Sequence, residues 1–372
     1  MKVALVHDVL FGKGGAERVF LDFCEAYPNA DIFTSVYLPE KTYPEFKKYR
    51  IRTSFVDRFI RSERLFKLFF FPFVILSMSR INLKDYDLIL VSTTHCAKYP
   101  KMSDNSVKIF YCYTPFRLAW RPDSYSMGMS NYFINKLKFF IVQILKRIDF
   151  AHAQKANMFI AMTKETRERI RKAYKFDKEI PILEPSINIG KFSVSETEGN
   201  YYLLVSRFEP YKKVDLAINA FNKSRKKLII VGNGTQKEYL KSIANSNIEF
   251  KEGVSDRELI ELYSNCKAFI FPQYEDYGLT PIEANASGKP VICFRAGGAL
   301  DTMVDKEVNP DEGSAVFFDQ QTPDSLNQAV KKLESLKFDP KALKNNALRF
   351  DRVHFIERLK LIISDKLNEI QN

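Results

Sequence analysis

Short apolar segments alternate with helical patterns along almost the whole chain, and this alternation constrains the fold more than any other feature. Polar or turn-forming residues bound each segment, as in the strands of a parallel sheet that is covered on both faces. The first half contains such segments at Val3–Val6, Asp31–Val36, Leu88–Val91, Lys108–Cys112 and Met158–Met162. The second half contains them at Tyr201–Val205, Lys227–Gly232, Asn247–Phe250, Ala268–Phe271 and Val291–Phe294. The pattern predicts an α/β protein with two Rossmann-like domains in tandem.

A break in the alternation divides the chain. Two prolines interrupt the pattern within Ile180–Ile189, and the segment Ser193–Asn200 that follows is polar. Prolines and a polar stretch between periodic segments are typical of a connection between domains. We therefore place the domain boundary there, between residues 186 and 187. The last segment, Arg352–Leu367, has the apolar spacing of an amphipathic helix.

The strongest functional signal lies between two predicted strands of the second half. Glu275 and Glu283 stand eight positions apart in this segment, and Pro281 lies between them. Proline suits the first turn of a helix, because its missing N–H would be unpaired there anyway. A helix that starts there would point three N–H groups at an anion, those of Gly278, Leu279 and Thr280. The segment therefore predicts a site for a phosphate-bearing ligand whose hydroxyl groups bind the two carboxylates.

Cations and glycines that suit the same kind of ligand follow the first strand of each half. Arg207 and Lys212 are five positions apart after Tyr201–Val205, and both can reach a diphosphate. Arginine offers a bidentate fork, whereas lysine offers a point charge. Gly14 and Gly15 lie between the first strand and a helical segment, where glycine permits close approach of the backbone to a ligand.

These motifs resemble those of retaining, nucleotide-sugar-dependent glycosyltransferases of family 4. The segment Phe271–Val291 looks like the E-x7-E signature of that family. The other segments that resemble family motifs are His7–Asp8 with Gly14–Val19, Ser206–Val214, Val231–Gly234 and Gly253–Asp256. Tyr113–Trp120 is similar to the His-Thr-Pro-x-Arg-Tyr-x-Trp motif of O-antigen mannosyltransferases, although tyrosine replaces its histidine. The resemblance covers nearly the whole chain.

The resemblance implies the GT-B fold, in which two Rossmann-like domains face each other across a cleft. Residues 1–186 would bind the acceptor, and residues 187–352 would bind most of the nucleotide sugar. The C-terminal helix would cross back, so that residues 353–372 join the first domain.

The same resemblance implies roles for individual residues. The catalytic residues would be Arg207, Lys212 and Glu275. The donor-binding residues would be Gly14, Gly15, Gly278, Leu279, Thr280, Glu283, Val254 and Ser255. Among these, Glu283 would bind the ribose, and Val254 and Ser255 would line the base pocket. Candidate acceptor or sugar contacts are His95, Tyr113 and Arg117. In this family the acceptor proton passes toward the leaving phosphate, so we assign no general base.

The expected reaction is retaining transfer of a sugar, mannose from GDP-mannose, to a lipid-linked cell-surface polysaccharide or lipopolysaccharide. Two alternatives remain open: a catalytically silent GT-B subunit that binds a partner glycosyltransferase, and a sugar-nucleotide epimerase. We expect neither a cofactor nor a metal. The acidic pair Asp85 and Asp87 forms a D-x-D motif, but it precedes a predicted strand and is interpreted as structural.

The charge is unevenly distributed and favours an anionic partner for the first half. The chain has a net charge of +12; residues 1–200 contain 32 Lys+Arg and 21 Asp+Glu, whereas residues 201–372 contain 25 and 24. Basic residues between Arg50 and Lys67 run into the apolar segment Leu68–Leu76, which is too short to span a bilayer. We expect contact with an anionic membrane surface and with a lipid-diphosphate-linked acceptor. No basic–aromatic pattern indicates nucleic-acid binding.

The cysteines bear on the cellular compartment. Five cysteines occur without any C-x-x-C spacing, at Cys24, Cys96, Cys112, Cys266 and Cys293. This pattern is typical of reduced thiols and argues against a disulfide framework or a zinc ribbon. We therefore expect a cytoplasmic protein that associates peripherally with the inner face of the membrane.

Overall fold

Two parallel sheets, one in each half of the chain, organise the fold. The structure is a computed structural model that describes residues 1–62, 65–66, 70–121, 132–195 and 199–371. One compact unit comprises Met1–Pro185 together with Phe355–Asn372, and the other comprises Ser186–His354. Each unit contains a six-stranded sheet with helical connections, which confirms the prediction of two Rossmann-like α/β domains.

The first unit contains all five of its predicted strands and three short strands that the sequence analysis did not predict. They are β1 (Val3–His7), β2 (Asp31–Thr34), β3 (Ile51–Thr53), β4 (Asn82–Leu83), β5 (Leu88–Thr93), β6 (Lys101–Met102), β7 (Val107–Cys112) and β8 (Met158–Ala161). The main sheet has the order β3-β2-β1-β5-β7-β8, and β4 pairs with β6 in a separate ribbon. All these pairings are parallel.

The helices of the first unit lie between these strands. They are α1 (Gly15–Ala26), α2 (Ile75–Ser79), α3 (Arg117–Trp120), α4 (Tyr132–Ala153) and α5 (Lys164–Tyr174). Two 3-10 helices, Pro44–Lys48 and Phe55–Arg58, flank β3. Thr163 caps α5 by accepting a hydrogen bond from the Thr166 N–H, which explains why that helix begins at Lys164.

The second unit repeats the architecture. Its strands are β9 (Tyr202–Val205), β10 (Leu228–Val231), β11 (Ile248–Lys251), β12 (Ala268–Phe271), β13 (Val291–Phe294) and β14 (Ala315–Phe318), in the parallel order β11-β10-β9-β12-β13-β14. Its helices are α6 (Val214–Ser224), α7 (Lys237–Ile243), α8 (Asp256–Ser264), α9 (Leu279–Ala286), α10 (Ala299–Thr302), α11 (Pro323–Ser335) and α12 (Pro340–Leu348). Short 3-10 helices occur at Ile189–Lys191 and Pro210–Lys212.

The last helix, α13 (Arg352–Gln371), packs within the first unit from Phe355 onward. Its residues Phe355, Leu359 and Ile363 are almost completely buried. The Phe355 ring lies 6.1 Å from the rings of both Phe23 and Tyr111. Burial of apolar side chains of this size stabilises a fold by about 1.5–3 kcal/mol each, so this apolar stripe fixes the helix.

In each sheet the strand order reverses at one point, and this point indicates where a ligand would bind. The strand order reverses between β1 and β5 in the first unit, and between β9 and β12 in the second. Ligands of doubly wound folds bind outside the carboxyl ends of the strands at such a switch point. The segments that follow these four strands are therefore the ones to examine.

The apolar segment Leu68–Leu76 is partly helical. Phe70–Val74 forms a π-helical turn that continues into α2, whereas residues 67–69 lie outside the described part of the chain. Among the described helices, none has the length and hydropathy that crossing a bilayer requires.

Candidate active site

An ion pair at the carboxyl edge of the second sheet joins two of the predicted catalytic residues. Lys212 ends the 3-10 helix after β9, and Glu275 lies in the loop after β12, the neighbouring strand. The Lys212 ammonium group contacts a carboxylate oxygen of Glu275, and the two side chains are only 9% and 22% exposed. A buried charge is costly unless it is paired, so each residue stabilises the position of the other.

Tyr211 brings the third predicted catalytic residue to this pair. Arg207 is exposed, and its Nη2 donates a hydrogen bond of 3.0 Å to the Tyr211 hydroxyl. The Lys212 Nζ lies 5.1 Å from the centroid of the same ring, within the range of a cation–π contact. One aromatic side chain therefore holds both cations near the end of β9, where they form a basic site for an anion.

The glycines of Val231–Gly234 support the Arg207 loop. A Cβ at Gly232 would lie 1.8 Å from the Ser206 carbonyl oxygen, and one at Gly234 would lie 2.6 Å from the Phe208 nitrogen. The Phe208 N–H in turn donates to the Asn233 carbonyl over 2.8 Å. The structure thus shows a packing role for this motif, because only glycine permits the two loops to lie so close.

Helix α9 begins at the predicted position. Gly278 precedes it with a φ of +93°, and a Cβ there would lie 2.7 Å from the Phe271 ring. Glycine is required at this point on both counts. Leu279 and Thr280 form the start of the helix, and Pro281 lies in its first turn. Helix α9 therefore begins four positions after Glu275, and the N-terminus of a helix is suited to bind an anion.

Three residues that the sequence analysis missed position the two glutamates. The Tyr263 hydroxyl donates to Glu283 Oε2 over 3.0 Å, and Tyr263 is completely buried. The Gly298 N–H donates to the Glu275 carbonyl oxygen over 2.9 Å. Gly297 has a φ of +65°, and a Cβ there would lie 2.2 Å from that oxygen. The glycine pair that begins three positions after β13 was a readable signal, whereas nothing local marked Tyr263.

The predicted base-pocket residues lie away from this pair. Val254 and Ser255 follow the edge strand β11, which β10 separates from β9. Ser255 caps α8: its hydroxyl accepts from the Glu258 N–H over 3.2 Å and donates to the Glu258 carboxylate over 2.8 Å. The structure therefore gives the Ser255 hydroxyl a helix-capping role.

In the first unit, Asp8 organises the turn that carries His95. The Asp8 carboxylate accepts hydrogen bonds from the N–H groups of Thr94, His95 and Ala97, at 2.5, 3.1 and 2.6 Å. Burial would raise the pKa of Asp8, but His95, His7 and these N–H groups outweigh it and lower the pKa to about 2. Asp8 is therefore a charged residue that positions His95.

Asp8, His95 and Cys96 form the one group of three potential metal ligands found in the described part of the chain. The oxygens of Asp8 already accept several hydrogen bonds, and burial raises the pKa of the Cys96 thiol well above its usual value. A protonated thiol is a poor ligand. These side chains fit a hydrogen-bonded turn better than a metal centre.

His95 and Arg117, two of the candidate acceptor contacts, lie at the same edge of the first sheet. The His95 ring packs between Phe66 and Phe116, with centroid distances of 5.7 and 6.1 Å. Burial lowers the pKa of His95, although Asp8 acts in the opposite direction. Arg117 is exposed at the start of α3.

Gly14, Gly15 and Tyr113 meet at the switch point of the first sheet. Gly14 precedes α1, Gly15 is its first residue, and a Cβ at Gly14 would lie 2.4 Å from the Glu17 carboxylate. Tyr113, which directly follows β7, is 7% exposed, and its hydroxyl donates to the Ala16 carbonyl oxygen over 3.0 Å. The structure thus brings the phenol beneath the glycine loop.

Comparison with known proteins identifies a matching family and sequence relatives. The sequence model of the family "Glycosyl transferases group 1" matches residues 187–350. The chain is 24% identical to the Alpha-1,3/1,6-mannosyltransferase ALG2 of Candida glabrata, covering 93% of this chain and 88% of that protein. It is 25% identical to the O-antigen chain mannosyltransferase RfbU of Salmonella typhimurium, covering 78% of this chain and 76% of that protein.

Solved structures share the fold over the full length. The Anabaena protein Alr3699/HepE in complex with UDP has a TM-score of 0.72 at 17% identity and covers 98% of this chain and 100% of that one. Sucrose-phosphate synthase from Thermosynechococcus elongatus has a TM-score of 0.74 at 16% identity, with 99% and 100% covered. These likenesses establish the GT-B fold.

The fold and the sequence relatives together define a glycosyltransferase with the GT-B fold. More particularly, the protein is a hexosyltransferase that has mannosyltransferases among its relatives. The predicted fold and enzyme class are thereby confirmed.

Proposed function

We propose that this protein transfers mannose from GDP-mannose, with retention of configuration, to a lipid-linked glycan of a cell-surface polysaccharide or lipopolysaccharide. The observation that carries the proposal is the Lys212–Glu275 ion pair beside Arg207, at the carboxyl edge of β9 and β12 and before the N-terminus of α9. This arrangement offers two cations and helix N–H groups to a diphosphate, and carboxylates to sugar hydroxyls.

The chemistry follows from where charge develops. The bond between the sugar C1 and the diphosphate oxygen breaks, and the acceptor hydroxyl forms a bond to C1 on the same face. The acceptor proton passes to the leaving phosphate. Arg207 and Lys212 stabilise the negative charge on that leaving group, which is the largest rate effect available to fixed charges. Because these side chains can supply the positive charge, we propose that the reaction needs no metal or other cofactor.

The donor assignment rests on the relatives. The names of both sequence relatives describe mannosyltransferases, and the Anabaena structure binds UDP. A nucleotide-sugar donor suits both facts, and mannose suits the sequence relatives. We propose that Glu275 binds the donor sugar, that Glu283 binds the ribose, and that Gly14, Gly15 and the start of α9 contact the diphosphate.

Thermal shift with a panel of nucleotides tests this donor assignment. We expect GDP and GDP-mannose to raise the melting temperature of the purified protein more than UDP, UDP-glucose or ADP. Lys212→Ala should lose the shift, because it removes the buried cation. A larger shift with UDP compounds would overturn the choice of GDP, and a shift retained in Lys212→Ala would overturn the site.

We further propose that the first unit binds the acceptor at an anionic membrane surface, on the cytoplasmic side. Phe59, Phe73 and Leu76 are 70%, 49% and 45% exposed. Phe73 and Leu76 stand three residues apart in helical backbone, so both point to one side. The basic residues of this surface are the exposed Arg58, Arg61 and Arg80.

Two contacts join the segment that contains Phe59 to the segment that contains Phe73 and Leu76. The hydroxyls of Ser54 and Ser77 are hydrogen-bonded over 3.0 Å, and the Arg80 guanidinium lies 5.2 Å from the Phe55 ring centroid. Each buried aromatic or leucine side chain would contribute about 1.5–3 kcal/mol to membrane binding. Each arginine would add about 1 kcal/mol near an anionic leaflet.

Flotation with liposomes tests the membrane proposal. The protein should float with vesicles that contain anionic lipid, and salt should weaken the binding because it screens charge. The triple variant Phe59→Ser, Phe73→Ser, Leu76→Ser should not float with the vesicles and should remain in the bottom fraction of the gradient. Val308→Ser is the control, because Val308 is 81% exposed in the other unit. Equal flotation of the triple variant and the control would contradict the proposal.

A further inference from the structure

A chain of buried hydrogen bonds lies beneath the glycine loop of the first unit. The Tyr113 hydroxyl lies 3.0 Å from the Ala16 carbonyl oxygen and 3.0 Å from Ser92 Oγ. Ser92 Oγ lies 3.0 Å from His7 Nδ1. His7 and Ser92 are 2% and 0% exposed, so water does not compete for these bonds. Neither residue has a role in the proposed reaction.

The direction of each bond follows from the chemistry of its groups. A carbonyl oxygen can only accept, so the Tyr113 hydroxyl donates its single proton to Ala16. Ser92 must then donate to the phenol oxygen, and His7 Nδ1–H must donate to Ser92. Each hydrogen bond is therefore donated in the same direction, from the His7 imidazole through Ser92 and Tyr113 to α1. This arrangement requires the His7 tautomer with its proton on Nδ1. Burial lowers the pKa of His7 to about 4, which keeps the imidazole neutral.

The sheet register places these three residues in line. His7 pairs with Ser92 across β1 and β5, and Thr93 pairs with Cys112 across β5 and β7. Tyr113 directly follows Cys112, so its phenol comes from the third neighbouring strand end. These hydrogen bonds therefore connect residues at the ends of three adjacent strands, β1, β5 and β7, to one acceptor, the Ala16 carbonyl oxygen.

That acceptor lies in the first turn of α1, directly after Gly14 and Gly15. Glycines have the greatest conformational freedom to lose, and neither has a side chain with which to anchor the loop. His7 adds a second contact, because its ring stacks on Phe20 of α1 with centroids 4.6 Å apart. Helix α1 is therefore contacted from below at Ala16 and, about one turn later, at Phe20.

We propose that Tyr113, acting with Ser92 and His7, is a positioning residue that fixes the glycine loop for the donor diphosphate without touching the substrate. The inference rests on the proposed function in one respect, namely that Gly14 and Gly15 bind the donor. It assigns a role to the position at which family relatives have histidine: in this chain the tyrosine supports the loop from the protein interior.

Tyr113→Phe tests the inference because it removes one oxygen atom and keeps the ring. We expect the KM for the nucleotide sugar to rise by roughly 3- to 10-fold, the range for loss of a buried hydrogen bond, with kcat changed by less than about 2-fold. Ser92→Ala should act in the same direction. In the double variant the effects on KM should be less than multiplicative, because both substitutions disrupt the same series of hydrogen bonds.

Tyr111→Phe is a matched control. Tyr111 is 0% exposed, compared with 7% for Tyr113, and its ring packs against Phe23 of α1 in both the wild type and the variant. The hydroxyl that the substitution removes donates to the Leu183 carbonyl oxygen over 2.8 Å and makes no hydrogen bond to the start of α1 among the described contacts. Tyr111→Phe should lower the melting temperature about as much as Tyr113→Phe does, and it should leave the KM for the nucleotide sugar unchanged. Hydrogen exchange supplies a readout without substrate: amides of residues 15–20 should exchange at least about 3-fold faster in Tyr113→Phe but not in Tyr111→Phe.

The outcomes separate the inference from the proposed function. Unchanged exchange at residues 15–20 in Tyr113→Phe overturns the inference. So does an unchanged KM in Tyr113→Phe when Gly14→Val raises the KM, although the proposed donor role of the loop then stands. If neither variant alters the KM, both the positioning role and the donor role of Gly14 are overturned. Faster exchange together with a raised KM supports the inference.

Discussion

Lys212 and Glu275 form an ion pair that is largely shielded from water. The two residues arrive from the ends of adjacent strands, β9 and β12, at the point where the strand order of the second sheet reverses. Because each charge compensates the burial of the other, the pair holds both side chains at this switch point.

The first prediction separates the chemical role of the pair from its structural role. Lys212→Ala should reduce transfer by roughly 10²- to 10³-fold, since it removes a fixed cation from the leaving group. It should also lower the melting temperature, because Glu275 is left without its cation. Adding Glu275→Gln to Lys212→Ala should restore much of the stability but none of the activity. Recovery of turnover in the double variant would contradict the account.

Lys213→Gly is the matched control for that series. Lys213 directly follows Lys212, is half-buried, and has a φ of +52°, a conformation that glycine adopts without strain. We expect turnover within about 3-fold of the wild type and equal or higher stability. A loss of activity as large as that of Lys212→Ala would show that the general charge of this loop matters, rather than the buried ammonium group.

The second prediction concerns the glycine pair that supports Glu275. Gly297→Ala should destabilise the fold and impair transfer, because a Cβ there would lie 2.2 Å from the Glu275 carbonyl oxygen. Gly253→Ala is the control: its φ of +62° is similar, but a Cβ there has nothing within 4 Å. The control should therefore lose only about 1–2 kcal/mol for the left-handed conformation. Urea unfolding and initial rates measure both effects, and equal losses would refute the close approach.

The third prediction concerns Tyr263. Tyr263→Phe should raise the KM for the donor by roughly 3- to 10-fold, since Glu283, the proposed ribose ligand, would lose the hydrogen bond from the Tyr263 hydroxyl. Tyr201→Phe is the comparison, because the Tyr201 hydroxyl bonds only to the Leu262 carbonyl among the contacts described. If both variants had the same KM, Tyr263 would have no part in donor binding.

The fourth prediction concerns acid stability. Burial lowers the pKa of His7 from 6.5 to about 4, although the Asp8 carboxylate acts in the opposite direction and His95 adds to the lowering. Between these values the unfolded chain binds a proton that the folded protein does not, so stability falls as the pH decreases from 6.5 toward 4. The full loss is about 3 kcal/mol. Urea unfolding from pH 7.5 to 4.5 measures most of this loss.

His7→Asn provides the control for this dependence. Asparagine does not titrate, yet its amide can still donate toward Ser92. The variant should show a distinctly shallower fall in unfolding free energy over the same range, with the remaining slope due to groups such as His95, whose pKa is also lowered. An unchanged slope would assign the acid sensitivity to other residues.

The sequence predicted the fold class because alternation of strands and helices is a local signal. It predicted the central strands well, but β2 ends at Thr34 rather than Val36. The edge strands β3 and β14 were missed, as were the two-residue strands β4 and β6. Strand β3 has only three residues, two of them exposed, so its pairing with β2 comes from the sheet rather than from hydrophobicity. Strand β14 follows a loop and contributes only four residues, Ala315–Phe318.

The candidate site was predictable where chemistry and motif coincide within a few residues. Glu275, the start of α9 and the two cations are of this kind. The contacts that support them were not predictable, because they join residues that only the folded sheets bring together. The hydroxyls of Tyr263 and Tyr113 have no local sequence signal, since their partners depend on strand register and helix packing.

The most direct test of the central claim is transfer of radiolabelled mannose from GDP-mannose into a solvent-extractable lipid fraction of membranes, catalysed by the purified protein. The wild type and Lys213→Gly should label the lipid fraction. The labelled mannose in the product should be α-linked, because configuration is retained. Lys212→Ala and Glu275→Ala, each folded by melting temperature, should not label it. Undiminished labelling by both Lys212→Ala and Glu275→Ala, or labelling of lipid only from another nucleotide sugar, would contradict the account.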